Sequence, residues 1–111
     1  MYLYAYVEGD HDSYDISRAF WRAIAAESKR LGIRKVLIDE NIPENASMAD
    51  VFQLASELPD MGFGKVAFVD RYLDQQDINA FGELVALNRG LNGKIFNDAA
   101  EAETWLLAGS R

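Results

Sequence analysis

The sequence predicts an α/β domain built on a mostly parallel four-stranded sheet with about four helices. Short apolar runs recur at a spacing of about thirty residues: "KVLID" at 35–39, "KVAFVD" at 65–70 and "KIFND" at 94–98. Continuous apolar runs suit strands covered on both faces, as in a parallel sheet. An amphipathic segment follows each run, which is the rhythm of βαβ units. No linker or low-complexity tract interrupts the 111 residues, so one domain spanning 1–111 is expected.

The first strand is read at Tyr2 to Val7. Helix one follows from Ser13 to Leu31, with Asp12 or Ser13 as its cap and Gly32 in the left-handed stop position. Ile16, Ala19, Phe20, Ala23 and Ile24 form its inner stripe, with Trp21 beside the stripe and partly covered. Helix two begins at Ser47, where Ser47 and Asp50 make a capping box. Val51, Leu54, Ala55 and Leu58 face inward, Phe52 points away, and Pro59 follows the helix end. Helix three runs from Gln75 to Arg89, started by Asp74 or Asp77 and stopped by Gly90. Ile78, Phe81, Leu84 and Val85 are its inward set. Helix four runs from Asp98 to Leu107 with Ala102, Trp105 and Leu106 on one face.

Composition excludes several classes of function. There is no cysteine, so disulfides, thiol catalysis and thiolate metal sites are ruled out, and a reducing cytoplasm is the expected setting. The opening "MYLYAYVEGDHD" lacks a basic leader and a long apolar stretch, so neither a signal peptide nor membrane insertion is expected. A net charge of −7 disfavours nucleic acid. Charge is unevenly spread. Residues 18–35 carry Arg18, Arg22, Lys29, Arg30, Arg34 and Lys35, whereas 36–64 carry six acids and no Lys or Arg before Lys65. Asp50, Phe52 and Glu57 mark a candidate partner surface in that acidic region.

A parallel α/β sheet presents ligands at the carboxyl ends of its strands. Here those ends supply a candidate binding edge of Asp39, Glu40, Asp70, Arg71 and Tyr72. Asp39, Asp70 and Asp98 are better explained as strand ends and caps than as cation ligands, so no metal or other cofactor is expected. His11, the single histidine, lies in a polar loop without a second ligand segment. "MGFGK" at 61–65 leads into a strand, whereas a phosphate loop leads into a helix. No catalytic residue is therefore assigned. Ser47 is a candidate phosphorylation switch, because a phosphate at a helix start meets free amides.

"KVLIDE" at 35–40, "KVAFVDR" at 65–71, "FGELVALNRG" at 81–90 and "KIFNDAAEAETWLLAG" at 94–109 carry a family resemblance. On these motifs the chain resembles the SpoIIAA-like family of the STAS domain superfamily across nearly its whole length. The resemblance implies a small bacterial cytoplasmic domain, a sheet flanked by helices, and a non-enzymatic regulatory role through a protein partner. It also implies a phosphorylated serine at the start of the helix after the central strand, which falls on Ser47. The family's signature places Asp before that serine and Gly after it; here the stretch reads Asn45, Ala46, Ser47, Met48, Ala49. The family further has a strand before Tyr2–Val7, paired as a hairpin; this sequence starts too late for it, so either its start is trimmed or one sheet edge is open. An open sheet edge of this kind favours a homodimer. The alternative expectation is a binder of a small apolar or lipid-like molecule, with Trp21, Phe52 and Tyr72 at its mouth.

Overall fold

The apolar runs become strands and the segments between them become helices. The computed structural model describes residues 1–108; Gly109, which ends the closing motif, and the end of the expected 1–111 domain lie outside these residues. In chain order the elements are β1 (Leu3–Glu8), α1 (Tyr14–Leu31), β2 (Lys35–Asn41), α2 (Met48–Glu57), β3 (Lys65–Asp70), α3 (Gln76–Asn88), β4 (Gly93–Phe96) and α4 (Ala99–Leu107). Short 3₁₀ turns at Leu58–Met61 and Leu73–Gln75 link α2 to β3 and β3 to α3.

The sheet is wholly parallel, with spatial order β1-β2-β3-β4. Each strand pairs with the next in sequence. Repeating one hand of crossover along such a sheet puts the connecting helices on one face. That face carries the larger core: Trp21 and Ile24 from α1 meet Val36 and Ile38 of β2, Val66 of β3, and Leu58 and Phe63. The Trp21 ring stacks on Phe68 at 6.1 Å and meets the edge of Phe63 at 5.6 Å. The opposite face has one helix. Ala102 and Leu106 of α4 close over Leu37, Ala67 and Val69. Lys65 ties down the end of α4, donating to the carbonyl oxygens of Trp105 (2.8 Å) and Ala108 (3.2 Å). A cation at a helix C-terminus also complements the helix dipole.

Three caps form at the residues named from sequence. Ser13 accepts from the amide of Ile16, Ser47 from Asp50, and Asp98 from Ala100. Gly32 takes φ 69°, which a residue with a Cβ adopts only at a cost, and so stops α1.

Several expectations are corrected. The buried stripe of α1 is Ser17, Trp21, Ile24 and Ser28, while Ile16, Ala19 and Ala23 face solvent. Two serines hide this stripe from hydropathy, and both are satisfied: Ser17 donates to Asp12 at 2.6 Å, and Ser28 bonds the carbonyl of Ile33. Trp21 is consequently a core residue, 3% exposed. The Ser47–Asp50 box is half made, because the Asp50 carboxylate accepts from the amide of Tyr14 at 3.2 Å. Neither Asp74 nor Asp77 caps α3. Gln75 precedes it and makes no side-chain cap. Leu84 faces outward, and Asn79 and Ala86 are the buried residues of α3.

Candidate functional site

Period-two alternation divides the carboxyl edge of the sheet between its two faces. Tyr6 lies beside Asp39 across β1 and β2, and Glu40 beside Asp70 across β2 and β3. Asp39 shares the α4 face with Leu37. Glu40 and Asp70 share the other face with Ile38 and Phe68. The five residues of the predicted binding edge therefore form two sites.

The first site lies where α4 leaves the sheet uncovered. Because α4 covers β2 and β3, the outward tyrosines of β1 stay open, with Tyr4 51% and Tyr6 47% exposed. Tyr4 donates its hydroxyl to Asp39 at 2.6 Å, and Arg71 donates to the other Asp39 oxygen at 3.1 Å. The Arg71 guanidinium lies over the Tyr6 ring, 6.0 Å from its centre. Asn41 accepts from the Tyr72 hydroxyl at 2.6 Å and donates to the Tyr6 hydroxyl at 2.9 Å. Glu8 accepts from the Tyr6 hydroxyl at 3.1 Å. Hydrogen bonding to Asp39, with lesser help from burial, pushes the Tyr4 phenol up to about 12. The result is a connected surface of aromatic rings and hydrogen-bonding groups. Tyr and Arg are residue types that dominate binding energy at protein interfaces.

The second site lies under the helices. A hollow of about 100 Å³, part of a wider concavity open to solvent, runs between β3, α2 and α3 and reaches α1. Trp21, Ala55, Leu58, Val66, Phe68 and Ala86 give it an apolar lining. At one end stands Glu40, 2% exposed, with no hydrogen bond to its carboxylate among the described residues. Burial, and then the nearby charges of Asp12 and Asp70, push its carboxyl up to about 8. Asp12 and Asp70 are also raised by burial, but both have donors. Asp12 accepts from Ser17 and the Ser13 amide; Asp70 accepts from Asn79 at 2.8 Å and the Tyr72 amide at 3.0 Å. Asn97 holds the strand end from the far side, donating to the Asp70 carbonyl at 2.8 Å.

The remaining predicted residues are dispersed. Ser47 is exposed at the start of α2, its hydroxyl used as the cap. Asp50 and Glu57 face α1: Glu57 accepts from the Tyr14 hydroxyl at 2.7 and 2.9 Å and lies 3.7 Å from Arg18. Phe52 is exposed and stacks on Phe81 at 6.3 Å, with Arg89 over its other side. Of the three aromatics expected at a ligand mouth, Trp21 lines the hollow. Phe52 and Tyr72 do not, because each points to a different surface. His11 is exposed, and Asp98 is spent on its helix cap. Among the described residues no three His, Cys, Asp or Glu side chains converge so as to hold a metal ion, and no helix is long and apolar enough to cross a membrane. Asp12 and Asn79 were missed from sequence. Aligning the lysines that open β2 and β3 would have paired Glu40 with Asp70, but nothing local points to the partners that arrive from α1 and α3.

The chain matches no family model, no curated protein and no solved structure.

Proposed function

We propose that this protein is a non-enzymatic regulatory module of the STAS, SpoIIAA-like kind, acting in the bacterial cytoplasm by binding a protein partner. The observation that carries this reading is the uncovered β1 face, where Tyr4, Tyr6, Asp39, Asn41, Arg71 and Tyr72 form one hydrogen-bonded surface. Two features add support. The parallel sheet flanked by helices is the architecture the resemblance implies, and Ser47 caps the helix after β2, in the open, where a kinase can reach it. A phosphate there adds two negative charges at a helix start whose amides favour them. The partner test is co-purification with tagged variants. Wild type retains a discrete partner and Arg71→Glu loses it; unchanged capture by both Arg71→Glu and Tyr6→Ala would sink the open-face reading. Equal capture by Ser47→Asp and Ser47→Ala would remove the switch. Homodimerisation through the β1 edge is checked by the sedimentation mass of the purified chain.

A second reading, binding of a small and largely apolar molecule, is favoured by the hollow beneath α2 and α3. Saturable chemical-shift changes at Trp21 and Ala86 on titration with small apolar probes are its test, and their absence would refute it.

A further inference from the structure

We propose that the hollow beneath α2 and α3 is a binding site for a small primary alkylamine, with its ammonium on Glu40 and its carbon chain along Trp21, Leu58, Val66 and Phe68. This rests on the ligand-binding reading and narrows it to one chemistry. Glu40 is 98% removed from solvent, lines the hollow and accepts no hydrogen bond among the described residues. A buried carboxyl without a donor is a costly arrangement, and a paired cation removes that cost. The lining is mostly apolar, which suits a hydrocarbon body, and the other carboxylates in it are engaged by protein donors: Asp12 by Ser17, Asp50 by the Tyr14 amide and Glu83 by the Ile95 amide.

The groups facing Glu40 favour a cation. Asp12 from the loop before α1 and Asp70 from the end of β3 act on it directly, and Asp50 of α2 lines the same hollow beside Asp12. Glu83 of α3 is engaged by the amide of Ile95 at 2.7 Å. Lys94 is the one cationic residue in the lining among the described residues, and its ammonium lies over Phe96, 5.5 Å from the ring centre. Among the described residues no side chain therefore neutralises the acidic end of the hollow. The volume of the hollow sets how much of a ligand it can enclose, any longer chain reaching into the open concavity. An empty apolar void of roughly 150 Å³ accepts benzene, so about 100 Å³ suits a chain of about four carbons with its amine at the polar end.

Binding would release a proton. Free Glu40 is mostly protonated at neutral pH, since burial holds its carboxyl at about 8, and the ion pair needs the carboxylate. An alkylammonium, like that of lysine with a pKa of about 10.4, stays charged over the same range. Amine affinity should therefore rise by up to about tenfold per pH unit below pH 8 and level off above it. Neutral isosteres should show no such rise.

The test is calorimetric and NMR titration of the full chain with n-butylamine and with 1-butanol between about pH 6 and 9. The expected result is amine binding that tightens with pH, releases close to one proton per ligand at neutral pH, and shifts the resonances of Trp21 and Glu40. Glu40→Gln should lose n-butylamine and keep 1-butanol. Amine affinity that is flat with pH in wild type, or unchanged in Glu40→Gln, overturns the proposal. The wild-type pH series is decisive even where the variant folds poorly. Binding of 1-butanol without n-butylamine overturns the amine assignment and leaves the ligand-binding reading standing. Failure of both probes overturns both.

Discussion

On the open face, Asp39 accepts hydrogen bonds from Tyr4 and Arg71; one residue along the chain, on the covered face, Glu40 accepts none among the described residues and lies against mostly apolar walls. Both residues are nearly lost to solvent, at 8% and 2% exposure. Their difference is one of partners. A buried acid with donors has its oxygens satisfied within the structure, whereas one without donors is driven to its neutral form or toward an outside cation. Adjacent residues of one strand thus join a hydrogen-bonded network on one side and line the hollow on the other.

The contrast can be broken in several places. The largest effect is expected at Trp21, the ring shared by the core and the hollow. Trp21→Ala should cost about 4 kcal/mol in urea unfolding. Next comes the pH dependence of stability. Glu40 is raised in the folded chain from its ordinary 4.5 to about 8, so the folded state holds a proton that the unfolded chain has released. That contribution is complete below about pH 4.5 and is lost as pH rises through 8. Asp12 and Asp70 are raised in the same direction and add to the slope. Glu40→Gln should flatten most of the slope and leave the variant more stable than wild type at alkaline pH, by up to about 3 kcal/mol. Equal slopes in the two proteins would show that Glu40 is not the group responsible.

On the open face the expected effects are smaller. Asp39→Ala should cost about 1 kcal/mol, because Tyr4 and Arg71 can turn to water. It should also bring the Tyr4 phenol down from about 12 toward its ordinary 10, read by ultraviolet titration against Tyr4→Phe. The smallest change belongs to Tyr6→Ala, within about 0.5 kcal/mol in stability, as befits an exposed side chain. A larger loss would mean that this face supports the fold itself and is not free for a partner.

Much of the scaffold was legible because its signals are local. The lysines opening β2 and β3 mark strand starts and pair directly in the register, and Ser13, Gly32, Ser47 and Asp98 bound their helices as their chemistry requires. What escaped depends on distant partners. Ser17 and Ser28 look like a solvent face until Asp12 and the carbonyl of Ile33 satisfy them, and this rotates α1 and buries Trp21. The split of Asp39 from Glu40 follows from strand alternation, but the donors that satisfy Asp39 come from β1 and from the loop after β3, and among the described residues none reaches Glu40. The hollow itself is a gap between three helices, and no residue announces a gap.

The strand order also has a kinetic consequence. Each of β2, β3 and β4 joins the strand just before it, so the sheet can grow in the direction of synthesis, but every pairing closes a loop of about thirty residues, and such parallel pairings form slowly. α4 is the exception, because Ala102 and Leu106 must return to Leu37 and Ala67 across much of the chain. Until that final helix docks, one side of the nascent sheet shows its leucine and valine side chains to the crowded cell. This face is the place where a chaperone would be expected to hold the unfinished chain.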